Sequence, residues 1–280
     1  MKIFITTEGV RAWSRSERAA GRRVGFVPTM GCLHEGHLSL VALAKQRAAS
    51  VVTSIFVNPT QFGPGEDFDK YPRTQARDFV LLETAGCDAV FIPSTETMYP
   101  PGASSAVEEK ALSANHDGAS RPGHFRGVCT VVAKLFNIVE PDCAVFGRKD
   151  YQQAAIIRRM TRDLDFPVEI ITAPIVREAD GLAMSSRNNY LTPDERARAL
   201  VLSRALDAAQ KAAAQTPGIA VAELAPRLAT MISEAGLKPD YVVFADAETL
   251  EPVVAAHPGA VLLLAAWCGK TRLIDNCVLI

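Results

Sequence analysis

The sequence predicts an α/β fold, a doubly wound parallel sheet followed by a smaller α+β domain. Two observations predict it: strand-length runs alternate with helical patterns, and the runs are apolar throughout, as in strands buried on both faces. The predicted strands of the sheet are Val24–Val27, Val51–Val57, Ala89–Ile92, Cys143–Phe146 and Val168–Thr172. The intervening predicted helices are Leu38–Ala49, Thr74–Ala85, Val128–Val139 and Tyr151–Leu164. Ligands of such sheets bind at the carboxyl ends of the strands.

The alternation of strand and helix patterns ends near Val176. Thr192 is a typical helix N-cap, followed by Pro193 in the first turn and Glu195 three residues after the cap. Two alanine-rich helices are predicted here, followed by three strands: Pro193–Ala214, Ile219–Ala235, Tyr241–Ala245, Val261–Ala266 and Leu273–Leu279. We therefore expect two domains, with the boundary between residues 176 and 177.

Composition excludes several classes of protein. Hydrophobic residues make up 48% and charged residues 22% of the 280 residues, as in ordinary globular domains, and the formal net charge is -1. No overall charge therefore attracts nucleic acid or an anionic membrane, and we expect neither as a partner. The apolar run at the N-terminus is too short for a signal peptide, and no run approaches a membrane span. The six cysteines form no Cys-x-x-Cys pair, which predicts buried free thiols rather than zinc ligands.

The clearest chemical signal is the run Pro-Thr-Met-Gly-Cys-Leu-His-Glu-Gly-His at residues 28–37. It joins a predicted strand to a predicted helix, and such junctions bind phosphate through unpaired backbone N–H groups. His34 and His37 fall on one face of the first helical turn and can donate hydrogen bonds to phosphate oxygens. A His-x-Gly-His run in this context is typical of enzymes that transfer an adenylyl or cytidylyl group.

Two further polar segments are expected near the same sheet edge. Asn58 and Gln61 follow the second strand, where their amides could orient a polar substrate or cap a loop. The basic segment 118–127 contains Arg121 and His124 and could bind an anion or serve as a structural loop. The acidic segment 64–73 could hold magnesium through water, although a solvated surface run is the simpler interpretation.

Two more segments combine small and charged residues. The run 147–150 follows another strand; Lys149 suits a phosphate, and Asp150 suits ribose hydroxyls or a helix N-cap. Gln153 lies one helical turn further on. The run 176–188 contains Ser185, Ser186 and Arg187, a combination suited to clamping polyphosphate from a mobile loop.

Together these segments resemble the pantoate–β-alanine ligase family, from about residue 3 to residue 278. The runs that carry the resemblance are 27–37, 54–59, 71–73, 121–125, 149–153, 180–188 and, more weakly, 271–276. Several long motifs in the same order make this resemblance far more specific than the His-x-Gly-His run alone.

The resemblance implies a Rossmann-like nucleotidyltransferase domain at residues 1–176, which binds ATP and pantoate, and a smaller lid domain at residues 177–280. It implies ATP as a substrate, Mg²⁺, D-pantoate and β-alanine, in a cytoplasmic homodimer. The pantoate carboxylate would attack the α-phosphorus of ATP. The amine of β-alanine would then attack the resulting acyl adenylate and release AMP. Positioned hydrogen-bond donors and Mg²⁺ would stabilise the negative charge on the phosphates.

The resemblance also implies roles for individual residues. The implied catalytic residues are His37, His34, Lys149 and Arg187. The implied ATP-binding residues are Met30, Gly31, Cys32, Leu33, His34, Glu35, Gly36, His37, Gly147, Arg148, Lys149, Asp150, Val176, Met184, Ser185, Ser186 and Arg187. The residues implied to bind pantoate and β-alanine are Gln61, Gln153, Asn58 and His124. The ligands of the metal are not implied.

Two positions depart from the family pattern: Arg148 stands where glutamate is usual, and Thr60 stands where methionine is frequent. Loss of apolar contact at Thr60 would weaken pantoate binding by about 1 kcal/mol. Two other functions are compatible with a nucleotide-binding fold, a nucleotidyltransferase that stops at the adenylate and a nucleotide-binding regulatory protein without catalysis. The Gln61 and Gln153 pair and the loop from Arg121 to Arg126 indicate a second substrate, which disfavours the nucleotidyltransferase. The presence of both histidines, the lysine and the serine–arginine loop disfavours the regulatory protein.

Overall fold

A computed structural model describes residues 1–280 of the chain. The chain forms two compact units. The first unit comprises residues 1–148 and 152–174, and the second comprises residues 149–151 and 175–280.

The first unit contains a six-stranded sheet in the order β1-β4-β3-β2-β5-β6, in which every neighbouring pair is parallel. Its strands are β1 Lys2–Phe4, β2 Val24–Thr29, β3 Ser50–Ile55, β4 Ala89–Phe91, β5 Cys143–Gly147 and β6 Glu169–Ala173. Its helices are α1 Thr7–Ala19, α2 Glu35–Arg47, α3 Gln75–Thr84, α4 Thr95–Met98, α5 Asp117–Ser120, α6 His124–Val139 and α7 Tyr151–Asp163. This is the predicted doubly wound sheet, and the fold class is confirmed.

The strand order explains where a ligand can bind. From the central β2 the chain proceeds outward through β3 and β4, and it returns to the other side of β2 for β5 and β6. Parallel α/β sheets bind ligands where the order reverses in this way, outside the carboxyl ends of the strands. Thr29 at the end of β2 pairs in register with Ile55 at the end of β3. The segments after β2, β3 and β5 therefore begin at the same edge of the sheet.

Several details of this unit differ from the sequence prediction, including α4 and α5, which were not predicted, and α6, which begins at His124 rather than at Val128. Helix α1 and the edge strand β1 were also not predicted. Strand β1 has only three residues, which carry no periodic signal, and it forms by pairing with β4. Helix α2 begins at Glu35, three residues before the predicted start, because His34 takes the extended N-cap conformation. His37 therefore lies inside the first turn of α2.

The second unit packs three helices with an antiparallel sheet of order β7-β8-β9. Its elements are α8 Pro193–Ala199, α9 Val201–Gln215, α10 Val221–Glu234, β7 Lys238–Ala245, β8 Val261–Cys268 and β9 Thr271–Val278. The predicted single helix Pro193–Ala214 is wrong, since the chain breaks at Leu200, where neither glycine nor proline marks the break. The capping box of Thr192 and Glu195 is present as predicted. In neither unit is a helix long and apolar enough to cross a bilayer.

Candidate active site

The residues singled out from the sequence fall in both units. The first unit holds residues 30–37 after β2, Asn58 and Gln61 after β3, His124 at the start of α6, Gly147 and Arg148 at the end of β5, and Gln153 in α7. The second unit holds Lys149, Asp150, Val176 and residues 184–187.

The loop after β2 is held by a buried carboxylate. Gly31 has a left-handed φ of 82°, and a Cβ there would lie 3.0 Å from the Ile55 side chain. The Asp78 side chain is 1% exposed and accepts hydrogen bonds from the backbone N–H groups of Cys32 (3.0 Å) and Leu33 (2.9 Å). The Thr74 hydroxyl donates to the same carboxylate at 3.0 Å. Asp78 therefore fixes the entry to the His-x-Gly-His turn.

The two histidines lie side by side at the start of α2. Their ring centroids are 4.1 Å apart and both rings are half-buried. The backbone N–H of His34 donates to Nδ1 of His37 at 3.3 Å. Because that Nδ1 accepts a hydrogen bond, the neutral ring of His37 carries its proton on Nε2. The helix N-terminus and an Nε2–H donor together make this turn suitable for a phosphate.

Gln61 connects the segment after β3 to the loop after β2. Its Nε2 lies 3.3 Å from Sδ of Met30, and its Oε1 accepts from Nδ2 of Asn58 at 3.1 Å. The same Nδ2 donates to the carbonyl of Gly127 in α6 at 3.2 Å. A Cβ on Gly127 would lie 2.2 Å from the carbonyl oxygen of Thr60, so this helix packs against the segment only because residue 127 is glycine.

His124 supports Gln61 from the basic loop. Its Nδ1 lies 2.8 Å from the Gln61 carbonyl oxygen, and its Nε2 lies 2.9 Å from the Arg121 guanidinium. Burial, assisted by the charge of Arg121, lowers the pKa of His124 to about 4, so the ring is neutral near pH 7. The neutral ring then donates from Nδ1 and accepts at Nε2. Direct contact between His124 and substrate, the role implied by the family resemblance, stays a prediction.

Arg121 also anchors the acidic segment. It forms a bidentate ion pair with Glu66, with distances of 2.7 Å and 2.6 Å. The Glu66 carboxylate is therefore committed to arginine, which favours the structural interpretation of the segment over magnesium binding. No group of three or more histidine, cysteine, aspartate or glutamate side chains is arranged to hold a metal ion.

Adjacent glutamines in α7 have different environments. Gln152 is buried and donates to the carbonyls of Leu112 (2.7 Å) and Asn115 (2.8 Å), so it serves the fold. Gln153 is half-buried, and its side-chain amide forms no hydrogen bond within the protein, which leaves it available to a ligand. At Gly147, an added Cβ would meet no atom within 4 Å, so open space lies beside this backbone.

In the second unit, Lys149 is positioned through its backbone. Nδ2 of Asn276 in β9 donates to the Lys149 carbonyl at 2.9 Å. The Lys149 side chain is 21% exposed, and its Nζ lies 4.0 Å from the exposed carboxylate of Asp150. The ammonium group is thus partly desolvated and only loosely paired, which suits a group that receives an anionic ligand.

The loop that contains residues 184–187 is held by charges at its base. The Met184 N–H donates to the Val176 carbonyl at 3.0 Å, so the two predicted ATP-binding segments are adjacent. Arg177 forms a bidentate pair with Asp275, which is 3% exposed, at 2.7 Å and 3.0 Å. The side-chain amide of Asn188 ties the far end of the loop to Glu178 at 2.7 Å. The loop therefore has fixed ends.

Asp78 and Asp275 were missed by sequence reasoning. Asp78 is a charged residue at a buried position of the predicted helix Thr74–Ala85, and that mismatch is the signal that could have found it. Asp275 lies in the weakly matching segment 271–276, and its pairing with a residue nearly one hundred positions earlier has no local signal.

Comparison with known proteins identifies the family. The family model described as pantoate-beta-alanine ligase matches residues 2–278. The chain belongs to the pantoate–β-alanine ligase family. Its members include a pantothenate synthetase from Acidobacterium capsulatum, to which this chain is 58% identical over 95% of its length and 89% of the relative. The ligase assignment predicted from the sequence is confirmed.

Solved structures of the family agree with this fold. The pantothenate synthetase of Thermus thermophilus superposes with a TM-score of 0.94 at 48% identity, covering 99% of both chains. The pantoate-beta-alanine ligase of Francisella tularensis, solved in complex with beta-gamma ATP and β-alanine, superposes with a TM-score of 0.82 at 33% identity, covering 99% of this chain and 97% of that chain.

Proposed function

We propose that this ligase condenses D-pantoate with β-alanine at the expense of ATP, through a pantoyl-adenylate intermediate. The observation that carries the proposal is the contact of Gln61 Nε2 with Met30 Sδ at 3.3 Å. It joins the amide expected to hold pantoate to the loop expected to hold ATP, within one unit. Ligands bound to these two groups would have the pantoate carboxylate and the α-phosphate as neighbours, and adenylation needs that proximity.

In the first step, a pantoate carboxylate oxygen forms a bond to the α-phosphorus, and the bond from that phosphorus to pyrophosphate breaks. The His37 Nε2–H and the first N–H groups of α2 would donate to phosphate oxygens as charge moves onto the leaving group. Lys149 and Arg187, with the hydroxyls of Ser185 and Ser186, would neutralise the remaining phosphate charge. His34 supports the ring of His37 through its backbone N–H.

In the second step, the neutral amine of β-alanine forms a bond to the acyl carbon and the bond from that carbon to the AMP oxygen breaks. AMP leaves with the former carboxylate oxygen, and the amine nitrogen loses a proton. Gln61 and Gln153 would hold pantoate by its oxygen atoms, with Asn58 and His124 fixing Gln61. The remaining ATP contacts are assigned to Gly31–Leu33, Glu35, Gly36, Gly147, Arg148, Asp150, Val176 and Met184. No covalent intermediate on the protein is required.

Mg²⁺ is proposed to enter with ATP as part of the substrate. The structure has no group of three or more metal-ligating side chains, so the protein offers no complete cage. Mg²⁺ at nucleotide sites is commonly held by phosphate oxygens and water with one or two carboxylates at most. Such a site needs no group of three protein ligands. We also propose that the protein is a cytoplasmic homodimer, as the family resemblance implies; sedimentation equilibrium would test the dimer.

The decisive experiment measures AMP and pyrophosphate release from Mg·ATP and D-pantoate, with and without β-alanine. AMP release that requires both organic substrates, with pantothenate formed, is the expected result. With ¹⁸O in the pantoate carboxylate, one labelled oxygen must appear in AMP. Pyrophosphate release that β-alanine does not stimulate would indicate an adenylating enzyme with another acceptor. Absence of ¹⁸O from AMP would exclude the acyl adenylate.

A further inference from the structure

The side-chain amide of Asn58 is hydrogen-bonded at both its oxygen and its nitrogen. Its Oδ1 accepts from the hydroxyl of Tyr99 at 2.8 Å, the hydroxyl of Thr60 at 2.9 Å and the backbone N–H of Thr60 at 3.4 Å. Its Nδ2 donates to Gln61 Oε1 at 3.1 Å and to the Gly127 carbonyl at 3.2 Å. Asn58 is 1% exposed, so each of these bonds is shielded from water on the Asn58 side.

These partners determine which end of each amide is the oxygen. A backbone N–H can only donate and a backbone carbonyl can only accept, so Thr60 and Gly127 together specify the orientation of the Asn58 amide. Asn58 therefore donates an N–H to Gln61, and Gln61 accepts this hydrogen bond through Oε1. The Gln61 Nε2, with its two N–H donors, is directed away from Asn58, toward Met30.

We propose that the hydroxyls of Thr60 and Tyr99 are positioning groups of the pantoate site, which hold Gln61 through Asn58 so that it presents N–H donors to substrate. This inference rests on the proposed function. It assigns Gln61 as a donor, so the site selects a substrate oxygen that accepts a hydrogen bond, such as a carboxylate or hydroxyl oxygen. Threonine in place of methionine at residue 60 is thus expected to have two effects. It removes apolar contact with pantoate, and it supplies a hydroxyl that holds Asn58.

Thr60 and Tyr99 can be changed with little risk to folding. Thr60 is exposed, and Thr60→Val keeps its shape while removing the hydroxyl. Tyr99→Phe keeps the ring, which lies 6.3 Å from that of Phe56 and 5.8 Å from the Lys134 ammonium. Neither change leaves Asn58 Oδ1 without a donor, but the double variant leaves it only the longer bond from the backbone of residue 60.

The test is steady-state kinetics of the full-length enzyme together with calorimetric binding of D-pantoate. Each single variant should raise the KM and Kd for pantoate about fivefold, since a neutral hydrogen bond typically contributes about that factor to an equilibrium. The KM for ATP should change by less than about twofold, and the double variant should exceed either single variant. Thr60→Ser, which restores a hydroxyl, should recover pantoate binding. Thr97→Val, which removes a nearby hydroxyl bonded to Ser94, is the matched control.

Several outcomes would overturn the proposal. Unchanged pantoate KM and Kd in the double variant would show that the hydroxyls do not position Gln61. Equal losses in Thr60→Ser and Thr60→Val would assign the effect to side-chain packing, and equal rises in pantoate and ATP KM would indicate general loosening. If the wild type binds pantoate but makes no pantothenate, the proposed function fails while the Kd ratios still decide the positioning role. If it binds no pantoate, both fail.

Discussion

Replacement of Asp78 by asparagine tests whether a buried carboxylate arranges the loop after β2, which we propose to bind ATP. The wild-type carboxylate accepts two backbone N–H groups with separate oxygens, at 3.0 Å from Cys32 and 2.9 Å from Leu33. An amide has only one oxygen, so one of these N–H groups would face an NH₂ group. Losing a charge-assisted hydrogen bond at a buried site costs about 2 kcal/mol, which lowers the Tm by about 4–8 °C in a protein of this size.

The same change should weaken ATP binding, because the turn that bears the histidines would no longer be held before the nucleotide arrives. If about 1.4 kcal/mol of the loss is expressed in binding, the KM for ATP rises about tenfold. Thermal unfolding and steady-state kinetics measure the two effects. Asp69→Asn, at an exposed carboxylate of the acidic segment, is the matched control and should match the wild type. A wild-type Tm together with a wild-type KM for ATP in Asp78→Asn would refute the reasoning.

Three other predictions follow from the structure. His37→Ala and Lys149→Ala should each lower kcat by about a hundredfold with an unchanged circular-dichroism spectrum, because each removes a donor to transition-state charge; near-normal turnover would contradict the assigned role. Gly127→Ala places a Cβ 2.2 Å from the Thr60 carbonyl oxygen and should cost at least about 2 kcal/mol in urea unfolding, whereas an unchanged midpoint would exclude the close packing. Finally, the lowered pKa of His124, about 4 against an ordinary value of 6.5, means that the unfolded chain binds the proton more readily. The contribution of neutral His124 to the free energy of unfolding, up to about 3 kcal/mol, is fully present above pH 6.5 and is lost as the pH falls toward 4. Tm profiles of the wild type and His124→Gln that fall in parallel over this range would refute this pH dependence.

Local patterns were sufficient for much of the molecule. Continuous apolar runs predicted the main strands of the first unit, because burial on both sheet faces makes each strand apolar along its length. The helical period of hydrophobic residues predicted the main helices. The His-x-Gly-His run could be placed at a strand–helix junction because its glycines and histidines are neighbours in the chain. The family and its ligase chemistry followed from motifs of this local kind.

The sequence did not reveal how distant residues support those motifs. Asp78 holds the loop after β2 from 46 residues away, and Tyr99 forms a hydrogen bond with Asn58 across 41 residues. Hydrogen bonds are short and directional, so such partners are specified only when folding brings two segments together at a defined angle. The residue types and their order thus determined the fold class and the chemistry that this chain can perform. Only the tertiary structure decided which buried groups hold the loops, and which end of the Gln61 amide faces Asn58.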